Sequence, residues 1–183
     1  MNGITFITGN QAKADSLAKH INHPISHRKV DLDEIQSLEL NEIAEQKARQ
    51  AYRIVGSPIL VEDVGLVFEP LSKLPGPFIK WFEIELGLDR ICKLVDKLGN
   101  RKAVASVCFV YYDGQNIKFF DGQLSGSISD KPRGNNGFGF DPIFIPQSTN
   151  KTLAEMDEAE TEKFSLRTTT VYPQIKQFLG SID

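Results

Sequence analysis

The chain has 183 residues, a formal net charge of −3, 40% hydrophobic content and two cysteines. That length suits one domain, or at most two lobes, with a substantial core. A nearly balanced charge without a basic run argues against a long nucleic-acid footprint. Two cysteines without CxxC spacing read as reduced core thiols, no stretch approaches membrane-spanning length, and a cytoplasmic protein is expected.

In chain order, Ile4 to Ile7 read as a buried strand that ends in Thr8-Gly9-Asn10, and Ala12 to Ile21 as a helix with Lys13 in its first turn. Two readings of that lysine stand open. In one, Asn10 caps the helix and Lys13 is solvated. In the other, backbone N–H groups at the helix entrance join a hydroxyl, an amide and the cation to form a polyanion site. Ile25 to Val30 read as a second strand that enters the acidic loop DLDEIQSLEL. From Asn41 to Val55 the apolar residues Ile43, Ala44, Ala48, Ala51, Tyr52, Ile54 and Val55 share one half of a helical wheel. Lys47 falls in that apolar half, where an ammonium is costly unless its stem snorkels or an anion meets it.

Pro58 precedes the run ILVED, which puts Glu62 and Asp63 at a strand end, the place where ligands gather in open α/β sheets. Val64 to Phe68 continue as a short strand, PLSKLPGPF supplies a turn, and helices follow over Ile79 to Leu86 and Asp89 to Leu98, the second stopped by Gly99-Asn100. Ala103 to Tyr112 and Asn116 to Ile128 are long β segments joined by Asp113-Gly114, a hairpin dipeptide. The glycine-rich loop KPRGNNGFGFDP leads into a strand over Ile143 to Ile145. A short helix at Leu153 to Met156 and a helical stretch after Ser165, kinked or restarted at Pro173, complete the chain. Helix–strand units first and a hairpin later predict an α/β protein with a mixed, strongly twisted sheet.

Three carboxylates stand out: Glu34 in the acidic loop and the pair Glu62-Asp63. Neighbouring strand residues point to opposite faces, so only one of the pair enters a given site directly. Either Asp63 caps a turn while Glu62 pairs with a lysine, or the carboxylates serve Mg²⁺, which needs few protein ligands when substrate phosphates complete its shell. Lys13, Lys47 and Lys80 would then neutralise phosphate oxygens, Lys80 standing in GPFIKWF among residues that otherwise read as core. Phe138 and Phe140, beside Gly139 and Asp141, either fill core or offer a base a stacking face. His20, His23 and His27 lack a cysteine or fourth ligand, so zinc is not expected there.

Together, TGNQAK, VEDVGL, LPGPFIKWF, FFDGQLSG, PRG, GFGFDPIF, AEM and Ser165-Leu166-Arg167 run in order along nearly the whole chain. They resemble the inosine triphosphate pyrophosphatase family, the Ham1-like noncanonical purine nucleoside triphosphate pyrophosphatases. The resemblance implies a single Ham1-like domain over residues 1–183, with an elongated mixed twisted sheet, flanking helices and two lobes around a central nucleotide-binding cleft, usually in a homodimer. It also implies Mg²⁺-dependent hydrolysis of a nucleoside triphosphate to monophosphate and pyrophosphate, with no nucleic-acid polymer or membrane as partner. Carried over by position, Thr8, Gly9, Asn10 and Lys13 hold phosphates, Glu34 and Asp63 serve metal, and Lys47 and Lys80 bind polyphosphate. Phe138, Gly139, Phe140 and Asp141 receive base and sugar, with Ser165 and Arg167 in the tail motif that helps grip the nucleotide. Asp63, Lys13 and Glu62 are the catalytic candidates.

The chain departs from the family pattern in places. Ser16 stands where a Glu is usual, Val64 replaces a hydroxyl-bearing residue, and Thr161 and Leu166 occupy the usual Lys and His positions of the tail motif. Sites that lose such hydrogen bonds lose discrimination, so the resemblance implies noncanonical purine triphosphates as substrates with the base preference left open, while the phosphate and metal groups remain. The alternatives are a protein that binds nucleotide but has lost most catalysis, and a pyrophosphatase of altered base specificity that acts on modified pyrimidines.

Overall fold

The computed structural model describes residues 3–182. Its elements are β1 (Ile4–Ile7), α1 (Gln11–Ile21), β2 (Ile25–Arg28), α2 (Leu40–Val55), β3 (Ile59–Phe68), β4 (Pro75–Gly76), α3 (Ile79–Leu86), α4 (Leu88–Lys97), β5 (Lys102–Tyr112), β6 (Ile117–Ile128), β7 (Phe144–Pro146), α5 (Glu158–Phe164) and α6 (Tyr172–Ile182). The strands form one seven-stranded mixed sheet in the order β2-β1-β3-β5-β6-β7, with β4 beside β3. β1 runs parallel to β2 and β3, while β4 and β7 are antiparallel to β3 and β6. The chain divides into two compact units, one of residues 1–63, 107–122 and 170–183, the other of residues 64–106 and 123–169.

In the first unit, β1 is buried nearly end to end because helices cover it. Leu17 and Ile21 of α1 and Tyr172, Ile175 and Leu179 of α6 are buried with Ile4 and Phe6. Phe6 stacks on Phe109 at 5.7 Å between ring centroids, and Phe109 meets Tyr172 edge-on at 6.1 Å. Truncating a fully buried ring of this kind to alanine costs about 3–5 kcal/mol. A second apolar cluster joins Ala44, Ala48 and Ala51 of α2 to Ile59 and Val61 of β3 and Cys108 and Val110 of β5. Alanines on that helix face allow it to lie close on the strands. Gly56 stops α2 in the left-handed region (φ 73°), its N–H donating to the Tyr52 carbonyl at 2.8 Å.

In the second unit, Leu66 and Phe68 of β3, Ile79 of α3 and Ile91, Cys92 and Val95 of α4 are buried, as are Ile143, Phe144, Ala154 and Met156. The loop between Ser129 and Phe144 is stitched to the AEM segment: the Asn136 N–H donates to the Ala154 carbonyl at 3.1 Å, and the Asn136 amide donates to the Met156 carbonyl at 2.9 Å. Gly134 makes this possible, because a Cβ there would collide with the Ala154 backbone. PRG, GFGFDPIF and AEM are thus one structural device rather than three motifs.

Most predicted elements are present, with informative differences. Val64 to Phe68 is not a separate strand but the continuation of one ten-residue strand from Ile59. Helix α5 has no counterpart in the sequence reading; Asp157 caps it in a reciprocal box with Glu160. The C-terminal stretch does not restart at Pro173: a π turn over Arg167–Val171 runs directly into α6 at Tyr172, and Pro173 lies within the first turn of α6. There the Thr168 and Thr169 hydroxyls donate back to the Ser165 carbonyl at 3.1 and 2.8 Å, competing with the helical ladder. Cys92 and Cys108 are buried free thiols, and burial, with Asp121 and Asp63 nearby, pushes the Cys108 thiol strongly up.

Candidate active site

Strand alternation distributes the first group of site residues. Ile59 and Val61 face α2 in the apolar cluster, and Asp63 continues that row, two residues further on. Its carboxylate meets Lys47 of α2 at 3.2 Å. The same ammonium donates to Glu34 of the acidic loop at 3.0 Å, so Lys47 is seated between the two carboxylates. Burial works against its charge, but Asp63 and Glu34 outweigh burial and hold the ammonium above its ordinary value. This accounts for a lysine on the apolar half of α2: the helix places it one step from the alanine face, where anions wait.

Glu62, on the alternate row, pairs with Lys13 of α1 at 3.0 Å, its side chain only 5% exposed. Asn10 does cap α1, accepting the Lys13 N–H at 3.2 Å, and Thr8 accepts the Asn10 N–H at 3.1 Å. The capping reading therefore holds only in part: Asn10 is a cap, yet Lys13 is paired with Glu62 rather than solvated. The parallel register that sets Ile7 beside Arg28 also brings Lys29 against the turn, its stem 3.1 Å from where a Gly9 Cβ would be. Nothing in the local sequence singles out Lys29; only the pairing of β1 with β2 reveals it.

The second group lies in the other unit. Asp141 closes the glycine loop on itself by accepting the Phe138 N–H at 2.8 Å. The Phe138 ring is 41% exposed, with the Arg167 guanidinium 5.0 Å from its centroid. Phe140 takes up instead an edge contact with the buried Phe144 at 6.2 Å, so one of the two aromatic faces is tied to the core. Ser165 ends α5 and offers its carbonyl to the threonines of the π turn. Leu166 is buried at 8% exposure and contributes no polar group. Lys80 differs from its sequence reading: it is not among core residues but on the exposed side of α3, with its ammonium 5.8 Å from the centroid of Trp81, itself 55% exposed.

Glu34 and Asp63 form the hard-oxygen donor pair suited to a divalent cation of the Mg²⁺ kind, which takes one or two carboxylates and completes its shell with water and phosphate oxygens. Among the described residues no group of three or more His, Cys, Asp or Glu side chains could hold a metal ion, so a cation there depends on the substrate for the rest of its shell. The histidines are engaged locally, His20 with the Ser16 carbonyl at 2.7 Å and His27 with the Gln11 amide oxygen at 2.7 Å.

Known proteins bear on these arrangements. The Ham1 family profile matches residues 4–175. The dITP/XTP pyrophosphatase of Saccharolobus solfataricus is 37% identical over 181 residues, spanning 97% of this chain and 94% of that protein. Inosine triphosphate pyrophosphatase 2 of Trypanosoma cruzi is 38% identical over 170 residues, spanning 90% and 86%. Among solved structures, a HAM1 protein from Coxiella burnetii superposes with a TM-score of 0.86 at 25% identity, covering 99% of this chain and 100% of that one. A profile match over most of the chain, two relatives above one-third identity and a shared fold lead to one conclusion: this chain belongs to the Ham1 family.

Proposed function

We propose that this chain is a nucleoside triphosphate pyrophosphatase that hydrolyses noncanonical purine nucleoside triphosphates, inosine, deoxyinosine and xanthosine triphosphate among them, to the monophosphate and pyrophosphate with Mg²⁺. The relatives named for dITP, XTP and inosine triphosphate support the substrate class. One observation carries the chemistry: the Lys47 ammonium lies between Glu34 and Asp63. Together with Lys13 and Glu62, this makes two ammonium groups against three carboxylates. A polyphosphate is not attracted to such a balance unless another cation enters it, which is the physical ground for metal dependence.

In this reading Glu34 and Asp63 hold the metal, which when bound screens phosphate charge and orients oxygens for displacement. Asp63 also accepts, in this reading, the proton of a water attacking the α phosphorus. Lys47, released from the carboxylates, and Lys13, steadied by Glu62, balance the charge that develops on the departing pyrophosphate. Thr8, Gly9 and Asn10 present the turn to the phosphates, Lys80 adds an exposed cation, and Phe138 to Asp141 with Ser165 and Arg167 receive base and sugar. The same reading includes a single catalytic domain acting as a cytoplasmic homodimer.

The test is a panel of inosine, xanthosine, guanosine, adenosine and modified pyrimidine triphosphates, with and without Mg²⁺, both products being identified. Monophosphate and pyrophosphate from the deaminated purines, only with metal, is the expected result. Orthophosphate alone would exclude cleavage between the α and β phosphorus atoms. Tight nucleotide binding without any product would favour the binding-protein alternative.

A further inference from the structure

The turn after β1 has a further cation beside it, and its position follows from the sheet. Strands β2, β1 and β3 run parallel in that spatial order, so α1 leads from β1 to one neighbour and α2 returns the chain to the other. Ligands gather outside the carboxyl ends of strands at such a reversal. The register sets Ile7 beside Arg28 and Phe6 beside Leu60. Continued past those pairs, it puts Lys29, Thr8 and Glu62 level at the strand ends, and the Thr8 N–H donates to the Arg28 carbonyl at 3.1 Å. The stem of Lys29 is packed on the turn: its Cδ and Cγ lie 3.1 and 3.3 Å from where a Gly9 Cβ would be, and the ammonium is only two bonds beyond the Cδ. Gly9 is not in the left-handed region; what the turn requires of it is the space that Lys29 occupies. The ammonium groups of Lys13 and Lys47 are already committed, to Glu62 and to Asp63 with Glu34. No hydrogen bond or ion pair to the Lys29 ammonium is present among the described residues, and the side chain is exposed. Lys29 thus brings to the turn a positive charge that no carboxylate offsets.

We propose that Lys29 binds the terminal phosphate of the substrate and, after cleavage, the distal end of the pyrophosphate product. The proposal rests on the reading above, in which Asp63 serves the α phosphorus and the turn holds phosphates. Strand order then gives the direction. Asp63 is on β3, the turn follows β1 and Lys29 follows β2, so a polyphosphate that starts at Asp63 and crosses the turn ends at Lys29. An ammonium is a point charge that meets phosphate oxygens without a fixed geometry, which suits a group remote from the bond that breaks. Because that contact is the same in the bound substrate and in the transition state, it strengthens binding without accelerating the displacement.

The experiment measures kcat and KM for inosine triphosphate, together with inhibition by pyrophosphate and by inosine monophosphate, for the wild type, Lys29→Met, Lys29→Arg and Arg28→Met. Lys29→Met should raise KM and weaken pyrophosphate inhibition by about fivefold, with kcat and inhibition by the monophosphate within about twofold of wild type. Lys29→Arg should recover most of the loss, since charge rather than shape is at stake. Arg28→Met removes the same charge from the adjacent exposed residue and should leave these constants near wild type. Unchanged KM and pyrophosphate inhibition in Lys29→Met would overturn the assignment while leaving the pyrophosphatase reading intact. An equal loss in Arg28→Met would overturn it in favour of a diffuse surface field. A wild type that releases pyrophosphate from no purine triphosphate would instead bring down that reading, and this inference with it.

Discussion

Lys47 and Lys80 look alike in the sequence, each a lysine set among apolar residues at the start or middle of a helix, and the structure separates them completely. Lys47 lies on the face of α2 that packs on β3, where Asp63 and Glu34 meet it. Lys80 stands on the open side of α3 beside an exposed tryptophan. The contrast extends to their surroundings. Glu62, Glu34 and Asp63 of the first unit come already paired with ammonium groups, whereas in the second unit burial and the negative charge of Asp141 both work against an ionised Glu83. Paired charges are held in place before any ligand arrives, so under the proposed function the first unit would supply the reaction's electrostatics and the second would receive the base.

The most severe break falls on the first unit. Asp63→Asn keeps the shape but removes the charge that holds Lys47 and that would serve the cation under the proposed function, so kcat should fall by about 100-fold or more, with KM for inosine triphosphate little changed. Steady-state pyrophosphate release measures it, and wild-type turnover in the Asp63→Asn variant would dissolve the assignment of chemistry to this unit.

Next is stability. Lys13→Met leaves Glu62 nearly buried without its ammonium, a loss of up to about 3 kcal/mol readable in urea unfolding. Restoring a neutral partner by adding Glu62→Gln should recover much of it, since the cost lies in the stranded charge.

Phe138→Ala tests the second unit directly. Loss of a stacking face should weaken nucleotide affinity by about 1–3 kcal/mol, seen in KM or in binding to a non-hydrolysable analogue, with kcat at saturation largely retained. A variant that loses kcat and keeps KM would reverse the proposed division.

The smallest effect concerns pH. The Glu83 carboxyl is raised above its ordinary 4.5 in the fold, so its ionisation is penalised by folding. That penalty is absent below pH 4.5, grows as pH rises toward the folded value and is complete above it. Glu83→Gln should therefore melt slightly higher than wild type at neutral pH, the gap closing as pH falls below 4.5. The opposite sign holds for Lys47: its raised value means that the stabilisation is fully present below 10.5 and is lost only as pH rises through the higher folded value. A melting gap for Glu83→Gln that widens in acid would contradict the strain assigned to this carboxylate.

Much of this molecule was determined by local pattern. Apolar periodicity sets α2, the Asp113-Gly114 dipeptide sets the hairpin of β5 and β6, and the two-residue alternation of a strand was enough to separate Glu62 from Asp63. Ordered short motifs named the family. What only the tertiary structure decided is which side chains share a neighbourhood: Lys13 with Glu62 across 49 positions, Lys29 against Gly9, and Glu83 against Gly139. Partners so far apart in the chain leave no periodic trace, because their meeting depends on strand order and helix packing rather than on local spacing. Lys80 shows the converse, since apolar neighbours in sequence promise a buried lysine only if the helix turns that face inward, and α3 does not.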